Sequence, residues 1–224
     1  MAFVKLCGIR TRDDANTALD CGATALGFLV GLTHRAEDEI GEAEARAMVA
    51  GGLPSGVEAV LVTHLIDPER VADLAASVGV RTIQVHGDMA VPDLRRLRLL
   101  APGVRLIKAV HVTGDDALGR ALGFAAEVDA LLLDSRTADR LGGTGRTHDW
   151  AVSARIVAAV APLPVYLAGG LRPENVREAV AQVRAAGVDV NTGVEHVDGR
   201  KDPARMREFV SRAKAGLQRD GSAD

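Results

Sequence analysis

Apolar and polar positions alternate along this chain in two rhythms. Short runs rich in branched and apolar residues read as strands: "FVKLC" (3–7), "ALGFLV" (25–30), "VEAVLV" (57–62), "RTIQV" (81–85), "VRLIKAV" (104–110), "VDALLLD" (128–134), "PVYLA" (164–168) and "VDVN" (188–191). Between them lie longer stretches with apolar residues three or four apart, from "TRDDANTALDCG" after the first run to "DPARMREFVSRAKAGL" after the last. Thr11, Asp67 and Asp202 stand where helix N-caps belong, and Pro68 and Pro203 follow two of them directly. Gly22, Gly79, Gly103 and Gly187 are expected to close helices. Eight strand and helix units in succession predict a (β/α)8 barrel, with an open doubly wound sheet as the competing architecture.

Composition is even from end to end, so a single barrel domain is expected over residues 1–217, with 218–224 as a solvated tail. No apolar run approaches the roughly 18 residues of a membrane span, and the start lacks the pattern of a secretory signal. A cytoplasmic protein is the expectation, and Cys7 and Cys21 are read as reduced thiols. A net charge of −3 and an aromatic content of 3% argue against a nucleic-acid surface. An anionic small molecule would have to be held by local donors.

In such barrels the loops that follow the strands converge on one mouth. The groups at those strand ends are Cys7, His34 with Arg35, His64, His86, Lys108 with His111, Asp134, Ala168-Gly169-Gly170, and Asn191-Thr192-Gly193. Nearly all can donate, accept or move a proton. Glycines cluster in the last three of these loops, at Gly142, Gly143 and Gly145, at Gly169 and Gly170, and at Gly193. Exposed backbone N–H groups there suit a phosphate, although any one Gly pair is equally well a tight turn.

The residues "KLCGIR" (5–10), "IQVHGD" (83–88), "LIKAV" (106–110), "LLLDS" (131–135), "GGTGRTHDW" (142–150), "YLAGGLRPENV" (166–176) and "GVDVNTGVEHVDGRKD" (187–202) resemble the phosphoribosylanthranilate isomerase family, in order and over nearly the whole chain. The resemblance implies a barrel of the ribulose-phosphate-binding kind that needs no metal or organic cofactor. It further implies an Amadori rearrangement in tryptophan biosynthesis, from N-(5-phosphoribosyl)anthranilate to 1-(2-carboxyphenylamino)-1-deoxyribulose 5-phosphate. By the same resemblance Cys7 is the catalytic base and Asp134 the catalytic acid. Arg35 pairs with the anthranilate carboxylate, and Gly143, Gly169, Gly170, Thr192 and Gly193 contact phosphate. His86 falls on the family's non-metal Q-x-H-G and counts among the substrate-binding residues, and Asp189 falls on a polar position of the last strand. The partner is thus a phosphorylated sugar amine, and the chain is expected as a monomer or homodimer.

The chemistry needs one acid and one base: a proton delivered to the ring oxygen opens the ribose, and loss of the C2 proton gives the enolamine. An ordinary aspartate is ionised at neutral pH, so Asp134 is expected to be shifted upward by a desolvated site or a nearby anion. Cys7 is expected to be shifted downward by strand-end cations, Lys5 being excluded if alternation points it outward. The chain departs from the family at Thr33-His34-Arg35, where Ser-Pro-Arg is usual, at His64 after the third strand, and at Asn191-Thr192-Gly193, where Ser-Ser-Gly is usual. Two other readings stay open: an isomerase acting on another aminoaldose or sugar phosphate, and a barrel that binds a phosphate metabolite without turnover. His34, His64, His86 and His111 could converge on a metal, but no accompanying acidic ligand is evident in the pattern.

Overall fold

The computed structural model describes residues 2–33, 36–114, 116–137, 140–141 and 147–218. Eight parallel strands close into a barrel: β1 (Phe3–Leu6), β2 (Ala25–Leu29), β3 (Glu58–Thr63), β4 (Thr82–Val85), β5 (Arg105–His111), β6 (Ala130–Asp134), β7 (Val165–Leu167) and β8 (Gly187–Val190). The ring runs β1-β8-β7-β6-β5-β4-β3-β2, so the (β/α)8 expectation holds and the open sheet does not. Eight helices follow their strands: α1 (Arg12–Asp20), α2 (Glu42–Ala50), α3 (Pro68–Val78), α4 (Val91–Leu100), α5 (Asp116–Phe124), α6 (Trp150–Val160), α7 (Val176–Val183) and α8 (Pro203–Leu217). A short antiparallel hairpin, Arg136–Thr137 with Arg140–Leu141, follows β6, and a 3-10 turn, Thr192–Val194, follows β8; neither has a periodicity that would reveal it in advance. Among the described residues no helix is long and apolar enough to cross a membrane.

Most of the expected caps are in place; α4 is closed by Ala101, with Gly103 at φ 81° two residues beyond it. Thr11 accepts from the Asp14 N–H at 3.0 Å while Asp14 accepts from the Thr11 N–H at 3.1 Å, a reciprocal capping box. Asp67 and Asp202 accept from the first-turn N–H groups of α3 and α8, and Gly79 ends α3 in the left-handed region at φ 83°. Gly187 departs from expectation. It begins β8, and α7 ends instead on Arg184 at φ 57°. A β-carbon on Gly187 would come within 2.5 Å of the Phe3 carbonyl, so the glycine serves close strand packing.

Strand alternation divides the core in two. Val4, Leu6, Leu26, Phe28, Leu61 and their counterparts pack outward against the helices, joined by Met206, Phe209 and Val210 of α8. Phe3, Val60, Val62, Ile107, Leu132 and Tyr166 fill the barrel. At the end where the strands begin, Phe3 stacks on Tyr166 with ring centres 3.9 Å apart. The Arg105 guanidinium lies 5.7 and 5.5 Å from those rings and pairs with Glu58 at 3.0 Å. This cross-barrel stack closes the interior at that end and leaves the opposite end for chemistry.

Candidate active site

Cys7 lies one residue beyond β1, its N–H held by the Val190 carbonyl at 2.8 Å, and Gly8 at φ 70° turns the chain away. The sulfur is buried against Gly27 of β2. A β-carbon there would sit 2.6 Å from Cys7 Sγ and 2.8 Å from Lys5 Cε, so only glycine leaves room for both side chains. Lys5 therefore points into the barrel, so the condition that would exclude it as a cation near Cys7, an outward side chain, is not met. Residues two apart on a strand share a face, and Lys5 stands two before Cys7. It is wholly buried and pairs with Asp189 of β8 at 2.8 Å. Asp189 Oδ1 is buried without a hydrogen-bond partner among the described residues.

Across the mouth, three strands from β1 in the ring, β6 ends on Asp134. Its Oδ1 accepts from the Ser135 N–H at 2.7 Å, and its Oδ2 lies 3.5 Å from His86 Nε2. Gly169, at φ 77°, lets the loop after β7 press on this corner: a β-carbon would come within 2.4 Å of Ser135 N and 2.9 Å of Asp134 Oδ1. His86 follows β4, with Gln84 Nε2 at 3.2 Å from its Nδ1, the His64 ring stacked at 5.3 Å and the His111 ring edge-on at 5.0 Å. Lys108, grouped with the mouth by sequence, faces the helices instead. Its ammonium donates to the Gly87 and Ala109 carbonyls and lies 5.0 Å from the Phe124 ring, and burial pulls its pKa down to about 8.

Burial dominates the electrostatics. It raises the Asp134 carboxyl to about 7, with the Asp189 charge adding to the shift and the Ser135 N–H and Lys5 opposing it. That is the direction the acid role requires. Burial also raises the Cys7 thiol, to about 11, which reverses the expectation of a depressed value. Lys5 does pull the thiol down, but Asp189 at 2.8 Å offsets much of its field. Lys5 itself stays charged, because Asp189 and Cys7 outweigh the burial that would neutralise it. Burial and the neighbouring His111 and His64 push the His86 ring well below its usual pKa, so it is neutral.

Arg35 and Gly143 lie outside the described residues, as do His34, Gly142 and Gly145. Gly169 and Gly170, with φ of 77° and 66°, form a turn at the end of β7 beside the 3-10 turn that holds Thr192 and Gly193. Gly193 has a packing reason of its own, since a β-carbon would fall 1.8 Å from the Leu171 carbonyl. Gly193→Ala should therefore part the two loops and cost at least about 2 kcal/mol of unfolding free energy in urea titration; unchanged stability would show that they do not abut. Asn191, where the family has serine, bonds to Asp38 in the loop after β2 and accepts from the buried Lys201 at 2.5 Å. Lys201 also pairs with Glu195 at 2.7 Å. Nothing in the spacing of the sequence beyond the nearby Glu195 marks this lysine as buried.

Fold and strand ends together define a (β/α)8 barrel with a buried carboxyl group and a buried thiol at the same end of the ring, three strands apart. The family description "N-(5'phosphoribosyl)anthranilate (PRA) isomerase" matches residues 4–212, and the chain belongs to that family. It is 40% identical over 213 residues to N-(5'-phosphoribosyl)anthranilate isomerase 2 of Methanosarcina mazei, covering 94% of this chain and 93% of that one. Among solved structures it is similar to phosphoribosyl anthranilate isomerase from Thermotoga maritima, at 34% identity and a TM-score of 0.84, over 96% of this chain and 100% of that one. A second similar structure, 32% identical with a TM-score of 0.81 and the same coverage, is the isomerase in complex with reduced 1-(o-carboxyphenylamino)-1-deoxyribulose 5-phosphate.

Proposed function

We propose that this protein isomerises N-(5-phosphoribosyl)anthranilate to 1-(2-carboxyphenylamino)-1-deoxyribulose 5-phosphate, an Amadori rearrangement in tryptophan biosynthesis. The observation that carries the reading is the placement of Cys7 and Asp134 at the same end of a barrel of this family, with the Lys5–Asp189 pair electrostatically coupled to both. Asp134 gives its proton to the ring oxygen as the C1–O bond breaks, and the nitrogen lone pair forms the C1=N double bond. Cys7 then takes the C2 proton. That electron pair becomes C1=C2 and the nitrogen recovers its own, after which loss of the enol proton and protonation at C1 give the ketone.

The thiolate is the minority form of Cys7 at neutral pH, but the imine cation formed beside it favours the charged sulfur. A carboxyl near 7 is well placed to donate at neutral pH. Asp189 Oδ1 offers an acceptor to a sugar hydroxyl. Gly169 and Gly170, in consecutive positive-φ conformations, suit backbone N–H contacts to a phosphate, with Thr192 and Gly193 in the next loop and, by the family resemblance alone, Gly143 as further contacts. Arg35 suits the anthranilate carboxylate, and His86 orients Asp134.

The test is direct. Purified protein in EDTA, mixed with N-(5-phosphoribosyl)anthranilate, should consume it with kcat/KM of at least about 10⁴ M⁻¹s⁻¹. Tight binding of the product analogue with no turnover would move the assignment to a non-catalytic metabolite binder. Turnover of a different aminoaldose phosphate alone would move it to another isomerase.

A further inference from the structure

Side chains from three consecutive strand ends, His86, His111 and Asp134, converge beside the acid of the proposed reaction. All three are buried, and one nitrogen or oxygen from each lies within 4.8 Å of the others. The histidines recur at the ends of consecutive strand units, and β5 and β6 pair so that His111 and Asp134 are direct register partners. The sequence places all three at strand ends, but only the closed barrel shows that they meet. Tetrahedral ligands at zinc lie roughly 3.3 Å apart, so small side-chain rotations close the set.

The surroundings suit a metal as well. A ligating histidine needs an acceptor for its other ring N–H. Gln84 has its amide 3.2 Å from His86 Nδ1, and its Oε1 is buried with no partner among the described residues. Turning that amide over lets Oε1 accept from Nδ1–H, satisfies the oxygen and leaves the lone pair of His86 on Nε2, the atom facing Asp134. His111 Nε2 lies 3.3 Å from the His86 carbonyl, which can only accept, so Nε2 is the protonated nitrogen of that contact and Nδ1 is the nitrogen assigned to the metal. Asp134 spends Oδ1 on the Ser135 N–H and keeps Oδ2 for the cluster.

We propose that His86 Nε2, His111 Nδ1 and Asp134 Oδ2 form a site for a divalent ion of the zinc class, and that its occupation reversibly switches the isomerase off. Two imidazoles, one carboxylate and a water make an ordinary coordination set for such an ion. The switching half rests on Asp134 being the proton donor, since an oxygen engaged with a metal cannot hold the proton that ring opening needs.

Titrating the metal-free chain with Co2+ as an optical probe should give one equivalent of tetrahedral visible bands, displaced by Zn2+. The bands should be lost or weakened at least tenfold in affinity in His111→Gln. Zn2+ should inhibit turnover with the same stoichiometry, EDTA should restore it, and His111→Gln should shift the inhibiting concentration upward at least tenfold. No stoichiometric binding, an unaltered titration in His111→Gln, or a sulfur-to-metal charge-transfer band pointing to Cys7 would each overturn the site. Should His111→Gln fail to fold, His111→Asn and the wild-type spectrum, nitrogen and oxygen against sulfur, decide it. Absence of turnover in EDTA defeats the isomerase reading while the Co2+ titration still judges the site. Turnover persisting at full Zn2+ occupancy overturns the switch and the acid role of Asp134 together.

Discussion

Asp134→Asn is expected to abolish isomerisation while making the folded chain harder to unfold at pH 8. The loss follows from the proposed proton donor: an amide cannot deliver a proton to the ring oxygen, and general acids contribute about 10² to 10⁴ in rate. The gain in stability follows from the same burial that makes the carboxyl an acid. Its pKa is about 7 in the folded chain against an ordinary 3.8, so the folded state holds that proton more tightly than the unfolded state does. The benefit is complete below 3.8 and is lost as pH rises through about 7, above which the fold carries a buried charge that the unfolded chain hydrates. Asparagine escapes that penalty, by about 2 to 4 kcal/mol at pH 8 and by little at pH 4. Urea unfolding of both proteins in EDTA at the two pH values checks it; an equal gap at both would show that Asp134 ionises normally.

Lys5→Met should be the more damaging change to the fold. It strands the Asp189 carboxylate, already short of one hydrogen-bond partner, inside the barrel, and breaking a buried pair from one side costs about 3 to 5 kcal/mol. Turnover should fall by about 10² or more, because Lys5 is the cation that favours a thiolate at Cys7. Stability and catalysis can be separated with Lys5→Met/Asp189→Leu, which removes both charges and should recover most of the stability while staying catalytically poor. If the double variant regains turnover, the ammonium has no part in ionising the sulfur.

The barrel was legible because its signals are local. Alternating strands, N-caps such as Thr11 and Asp67, and a left-handed Gly79 depend on neighbours a few residues away, and all are where the sequence placed them. The positions of Cys7 and Asp134 at strand ends follow from the same register. The charge states were harder. Whether Cys7 is shifted down or up depends on how much protein surrounds it and on Asp189, 182 residues further along the chain, drawing on the field of Lys5. Lys5 faces inward because strict alternation places it on the same side of β1 as Cys7, but only the structure shows that Asp189 is there to pair with its charge. Gly187 and Gly193 looked like a helix stop and a phosphate contact, yet each is also required by a carbonyl from a distant segment, Phe3 or Leu171. Such approaches leave no trace in spacing.

The stack of Phe3, Tyr166 and Arg105 has a kinetic meaning. With the floor of the barrel sealed, the reactant arrives and the rearranged sugar departs through one doorway, and the two journeys cannot overlap. Whatever narrows that doorway slows entry and exit alike.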